Sequence, residues 1–322
     1  MRILLSIPRR FARTVWGVWA ATMRKPSLRE ECWGVGFPDK HFLVIRRADT
    51  VGGLFSFFAT NLGWIKYAED HGFIPVVDMG HYRNLYLSWF EFMFTRTNPW
   101  EFFFMQPGGY SMLDIRDAQR VTIAEGVPPD EIGYPDPRTS FDVMNSGKLQ
   151  GWVDTARHSI VIADEVILSY RNDRFEQAVQ NGIIGVLARG TDYTMCCPHG
   201  HPVQPTARQL IDMVNKYSAE GHFDEKIYLV TEDRRIADEF RREYGDRLIL
   251  ARQSFVDYQG GLLCENKLIK HNKEHGLAYL KAIVDLSRCS SIFAGRTNGA
   301  LGAFLLSKGF QKTYFFDLGV YP

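Results

Sequence analysis

Four short stretches put charged, polar or glycine residues where an apolar run stops. Gly182–Ala188 ends in Arg189-Gly190-Thr191-Asp192, Lys226–Val230 in Thr231-Glu232-Asp233, and Ser291–Gly295 in Arg296-Thr297-Asn298-Gly299. His41–Arg46 runs into Arg47–Gly53, which closes on the pair Gly52-Gly53. Arg189 suits an anion, because a guanidinium meets phosphate oxygens bidentately and keeps its charge when half-buried. An ion pair with Asp192 or another carboxylate is the plainer use of the same residue. Gly52-Gly53 and Arg296–Gly299 each precede a helix, whose first amides lack intrahelical partners and attract anions. Here too an ordinary use competes: a simple turn for the glycines, and an N-cap for Thr297 or Asn298. A fifth stretch, Cys196-Cys197-Pro198-His199-Gly200-His201, carries ligand types for zinc, but adjacent cysteines and a tight H-G-H do not have the spacing of a tetrahedral site. It reads better as a mobile Pro/Gly/His loop in which His199 or His201 touches substrate or moves a proton. No metal is expected.

The elements that would position these residues alternate. His41–Arg46 predicts a strand; Leu54 to His71 predicts a helix from the spacing of Leu54, Phe57, Phe58, Leu62, Ile65 and Ala68, stopped by Gly72; Phe73–Asp78 predicts a second strand. Strand, helix, strand with this spacing implies parallel pairing. The second half repeats the pattern. Gly182–Ala188, Lys226–Val230, Arg247–Ala251, Ser291–Gly295 and Thr313–Asp317 read as strands. Thr206–Ala219, a helix capped by Thr231 with Glu232 and Asp233 in its first turn, Gly276–Cys289 and Gly299–Ser307 read as helices between them. In open parallel sheets ligands sit at the carboxyl ends of strands, which is where the four polar stretches fall.

Composition narrows the class. The chain has 322 residues, 38 Lys+Arg against 37 Asp+Glu and a formal net charge of +1. A general nucleic-acid binder would carry a basic excess, so any anion site is local and no nucleic-acid partner is expected. Five irregularly spaced cysteines do not form a disulfide framework, which favours a reducing, cytoplasmic setting. The expected organisation is a basic amphipathic segment at 1–26, an α/β domain at 27–170 and a second at 171–322. Arg2, Arg9, Arg10, Arg13, Arg24 and Lys25 surround Trp16, Val18 and Trp19. That pattern leaves two readings open, a helix lying peripherally on the inner face of an anionic membrane or one packed on protein.

Leu187-Ala188-Arg189-Gly190-Thr191-Asp192 resembles the H-x-R-R-T-D motif of the α1,6-fucosyltransferase and nodulation-fucosyltransferase group. Lys226–Asp233 (K-I-Y-L-V-T-E-D) resembles its second motif and Cys289–Gly299 (C-S-S-I-F-A-G-R-T-N-G) its third. Gly52-Gly53-Leu54-Phe55, followed by Gly72–Asp78, is similar to its N-terminal glycine loop and strand entry. The resemblance spans most of 41–307 in the same order. It implies a GT-B-like α/β fold, two Rossmann-like domains facing a cleft with the nucleotide-sugar mainly on the C-terminal one. It implies an inverting, metal-independent enzyme without a cofactor, taking GDP-fucose to an oligosaccharide or glycan acceptor. By motif position Arg189 would hold the donor phosphates, Thr191, Arg296, Thr297, Asn298, Gly299 and the Gly52-Gly53 loop would serve the donor, and Glu232 and Asp233 would lie near the nucleotide. Inversion needs a base on the acceptor hydroxyl and a clamp on the departing diphosphate; Asp192 is the first candidate base, ahead of His199 and His201. The group's histidine, second arginine and lysine are Leu187, Gly190 and Tyr193 here. A different nucleotide-sugar donor, or a binding protein without catalysis, therefore stays open.

Overall fold

The computed structural model describes residues 26–47, 52–143, 147–190, 193–194, 197–222, 224–255 and 273–322. The basic segment at 1–25 and the candidates Thr191 and Asp192 lie outside them. No helix among the described residues is long and apolar enough to cross a membrane.

The first sheet holds β1 (Ser27–Glu31), β2 (Gly36–Arg46), β3 (Ile74–Val77) and β4 (Ala118–Glu125), ordered β1-β4-β2-β3. β2 is parallel to β3 and β4, and β1 closes the edge antiparallel to β4. Helix α1 (Leu54–Asp70) joins β2 to β3 and buries Phe57, Phe58, Leu62 and Ile65. It stops because Gly72, at φ +72°, takes the left-handed conformation. The Gly72 and Phe73 amides then bond back to the Glu69 and Ala68 carbonyls, the paired bonds of a glycine-terminated helix. Short helices follow: α2 (Trp89–Phe94), α3 (Trp100–Phe103), α4 (Gly147–Ser159), α5 (Asp164–Leu168) and α6 (Asp173–Ala178).

The second sheet is wholly parallel: β5 (Ile183–Leu187), β6 (Lys226–Val230), β7 (Leu248–Leu250), β8 (Ser291–Gly295) and β9 (Lys312–Phe316), ordered β7-β6-β5-β8-β9. Between them run α7 (Ala207–Ala219), α8 (Arg234–Tyr244), α9 (Lys273–Leu286) and α10 (Asn298–Leu306). Counted from β5 the order is 3-2-1-4-5, the doubly wound pattern whose direction reverses between its first and fourth strands. The gap between the carboxyl ends of β5 and β8 is therefore the place where this topology leaves room for a ligand.

Helices α7 and α8 cover one face of this sheet, Leu210, Val214 and Phe240 packing on Val186, Leu229 and Phe293. On the other face Leu280, Ile283 and Leu301 pack on Leu187, Tyr228 and Ile292, and the same apolar layer continues into Leu43, Ile45, Phe58 and Trp64 of the first half. α10 packs on α1 and α4, and α9 on α3 and α5. The strands of the two sheets fall on either side of residue 170, yet one continuous core joins them.

The α/β alternation follows the sequence reading with shifted ends. β2 begins at Gly36 rather than His41, and α9 begins at Lys273, ahead of the expected Gly276. Gly276 falls inside the helix, where a Cβ would collide with the Phe103 ring and press on Tyr86. Strands β1 and β4 have no counterpart in the periodicity reading.

Candidate functional site

β5 delivers Arg189 to the switch point, the Ala188 amide still bonding the Val230 carbonyl of β6. From the end of β6, Glu232 meets it: Arg189 Nη1 lies 3.4 Å from Glu232 Oε1, with side chains 20% and 10% exposed. Among the described residues, Glu232 is a carboxylate partner of Arg189. The guanidinium also lies over the Tyr193 ring, 5.4 Å from its centroid. Tyr193 in turn meets His201 edge-on at 5.6 Å, its hydroxyl 3.4 Å from Nδ1. His275, in the first turn of α9, completes the group. Burial pushes its pKa below the usual histidine value; Glu232 pulls it up and Arg189 pushes it down. The imidazole is held neutral beside an ion pair.

Asp233 is used locally. Its Oδ1 accepts the Arg235 amide at 2.9 Å, and its own amide donates to Thr231 Oγ1 at 3.1 Å. The N-cap of α8 is therefore Asp233, not Thr231, because the helix starts later than the sequence reading placed it. Asp233 also accounts for Gly190: a Cβ at 190 would overlap the Asp233 carboxylate. The glycine that stands where the fucosyltransferase group has an arginine has a steric reason within this chain.

At the other strand end Thr297 caps α10, its Oγ1 accepting the Ala300 amide at 3.1 Å. The amides of Asn298 and Gly299 are the first two of the helix, which the α-helical pattern leaves without intrahelical acceptors. A Cβ at Gly299 would overlap the Tyr279 hydroxyl, and one at Gly302 the Phe55 ring; Phe55 and Tyr279 meet edge-on at 5.7 Å. The Tyr86 hydroxyl bonds the Leu54 backbone. The start of α1 thus packs against α9 and α10 through Phe55, Tyr279 and Gly302. Gly53 has φ −71° and open space where a Cβ would sit, so neither conformation nor packing demands glycine there. Arg47 folds back onto α1, donating to the Ser56 carbonyl at 2.5 Å and Thr60 Oγ1 at 3.0 Å. Arg296 pairs with Asp317 at 3.1 Å and donates to the Arg138 carbonyl at 3.4 Å.

The described part of the histidine loop is paired to the C-terminal segment. The Gly200 amide bonds the Tyr321 carbonyl, the Tyr321 amide the His201 carbonyl, and the Val203 amide the Gly319 carbonyl, all at 2.9 Å. These bonds tie residues 200–203 to residues 319–321. His201 reaches Tyr193, while His199 is exposed. Among the described residues no cluster of histidine, cysteine and carboxylates is placed to hold a metal ion.

A second polar group, which the sequence reading missed, sits at the carboxyl end of the first sheet. Arg46 Nε bonds Asp78 Oδ2 at 2.9 Å, and the Gly80 amide donates to Asp78 Oδ1 at 3.1 Å. Beside it the Tyr82 hydroxyl donates to Glu125 Oε1 at 2.7 Å. Burial and that bond push the Tyr82 pKa up to about 12. Burial and Arg46 hold the His81 pKa below its usual value against the pull of Asp78 and Glu125. The residues were visible at the ends of H-F-L-V-I-R and F-I-P-V-V-D, but β4, which brings Glu125 opposite Arg46, was not.

Fold and site together define an α/β protein whose doubly wound sheet carries an arginine–glutamate pair at its switch point. No protein-family model and no curated protein matches the chain. Among solved structures it is similar to NodZ alpha-1,6-fucosyltransferase co-crystallized with GDP, at 16% identity over 83% of this chain and 93% of that one, TM-score 0.46. It is similar to fucosyltransferase NodZ from Bradyrhizobium at 16% identity over 83% and 94%, TM-score 0.45. It is similar to POFUT1 in complex with GDP-fucose at 10% identity over 88% and 99%, TM-score 0.46.

Proposed function

We propose that this chain is an inverting, metal-independent glycosyltransferase that moves a sugar, fucose from GDP-fucose, to a saccharide acceptor. The observation that carries the reading is the position of Arg189 at the β5/β8 switch point, across from the α10 start at Asn298-Gly299. A diphosphate between them would meet a guanidinium on one side and helix amides on the other, the two groups that stabilise a departing anion without a metal. The donor sugar itself is taken from the motif resemblance of the sequence.

The chemistry these residues would perform is compact. The acceptor hydroxyl attacks the anomeric carbon, the bond from that carbon to the phosphate oxygen breaks, and its electron pair stays on the diphosphate. Arg189 and the α10 amides offset that charge. Glu232 holds Arg189 in place before the donor arrives, and Tyr193 supports the guanidinium from its ring face. Asp192 takes the acceptor proton, with His201 second in line through its contact with Tyr193. The chain would work in the cytoplasm.

A transfer assay with GDP-fucose and an oligosaccharide panel, run in excess EDTA, tests the reading. Turnover that survives the chelator is expected. Chelator-sensitive turnover would contradict metal independence, and nucleotide binding without turnover on any acceptor would replace the transferase with a binding protein.

A further inference from the structure

Helix α2 has the sequence Trp89-Phe90-Glu91-Phe92-Met93-Phe94 and buries none of these residues. Trp89 is 60% exposed, Phe90 63%, Met93 52% and Phe94 64%. At helical spacing these four residues share one face. Glu91 and Phe92 occupy the other and are half-buried. Glu91 Oε2 accepts the Ser88 amide at 2.8 Å in a capping box that fixes the helix start. The outward face is thus entirely apolar, which soluble chains avoid in patches this concentrated unless something covers them.

We propose that this face is a docking surface for an anionic lipid bilayer. The residue types fit, since tryptophan and phenylalanine on one helix face settle at the boundary of headgroups and acyl chains. The charge fits as well. Exposed Arg83 and Arg96 bracket the helix, and residues 1–25 carry Arg2, Arg9, Arg10, Arg13, Arg24 and Lys25 with no acidic residue. That basic stretch joins the fold beside the loop leading into α2: Ser27 pairs with Glu125, which accepts the Tyr82 hydroxyl, and Arg29 lies within electrostatic reach of His81. A second copy of the chain would bring these cations against one another, whereas an anionic headgroup layer neutralises them. The surface is independent of the transfer chemistry proposed above.

Co-sedimentation of the full chain with phosphatidylcholine vesicles, with and without phosphatidylglycerol, tests it. The parent protein should bind the phosphatidylglycerol vesicles, more weakly at high salt. The variant Trp89→Gln/Phe90→Gln/Met93→Gln/Phe94→Gln should lose about a hundredfold in partitioning, because burial of these side chains supplies the apolar share of the affinity. Its melting temperature should match the parent's. Phe90→Gln/Phe94→Gln, a milder change should the first variant fold poorly, should lose about tenfold. Failure of the parent to bind would overturn the proposal. Equal binding of parent and variants would also overturn it and assign the attraction to residues 1–25. Loss of a dimer in light scattering with vesicle binding unchanged would give the face to a second copy instead.

Discussion

Both sheets end in an arginine beside a carboxylate, and the two pairs are built differently. Arg46 and Asp78 sit at 2.9 Å with side chains 11% and 9% exposed, and the second Asp78 oxygen is taken by the Gly80 amide. Arg189 and Glu232 sit at 3.4 Å, the arginine 20% exposed, above a tyrosine ring and opposite a helix start. A tight buried pair is a brace, since removing one partner strands the other charge. A longer pair at a topological switch point is one that an incoming anion can rearrange at small cost. An arginine–carboxylate pair is thus tight in one half and looser in the other, and the proposed donor site uses the looser one.

Four experiments can break or sharpen that contrast. Asp78→Ala should destabilise the protein most, by about 3 kcal/mol, because Arg46 is left buried without its partner. The matching truncation Glu232→Ala should cost less, because Arg189 keeps more contact with water than Arg46 does. Urea unfolding checks both, and equal losses would erase the distinction. Arg189→Ala should lower transfer about a hundredfold, the scale of one lost contact to a developing charge, while costing less stability than Asp78→Ala. Steady-state rates against stability separate the two effects.

Next in size, Gly299→Ala should destabilise by about 2 kcal/mol through collision with the Tyr279 hydroxyl, and Tyr279→Phe in the same chain should recover most of the loss. Failure of the second substitution to recover stability would show that Gly299 answers to something other than Tyr279. The smallest effect concerns pH. The His275 pKa is depressed by burial below the ordinary 6.5, so the unfolded chain takes up its proton first as pH falls. Its contribution to stability is present above the ordinary value and is lost on acidification toward the folded value. His275→Gln should flatten that fall in stability below neutral pH, and an unchanged slope would remove His275 from the buried group.

Much of the second half was legible because its strands are short apolar runs ending in Gly, Arg or Thr, and its helices carry a buried stripe. Leu210, Val214 and Tyr217 are one such stripe. The first half hid two strands. Ser27–Glu31 is an exposed, charged edge, and Ala118–Glu125 starts with exposed Gln119 and Arg120, so neither shows clean alternation. The strand-end positions of Arg189, Glu232 and Thr297 were legible in the sequence. His275 was not, because a lone histidine on a helix gains meaning only when tertiary packing sets it beside Arg189 and Glu232. The pairing of the histidine loop escaped for the same reason, since its partners are the residues around Tyr321, far along the chain. Asp233 was seen but misassigned: Thr231 is also a good cap, and choosing between them needs the position of the first helical turn.

The central claim is that Arg189 receives a nucleoside diphosphate at the β5/β8 switch point. Calorimetric titration of GDP and of guanosine into the parent protein and into Arg189→Ala tests it most directly. GDP should bind the parent well above guanosine, and Arg189→Ala should lose at least about tenfold for GDP, the scale of a charge-assisted hydrogen bond, while leaving guanosine unchanged. GDP binding equally tightly to both proteins would contradict the account.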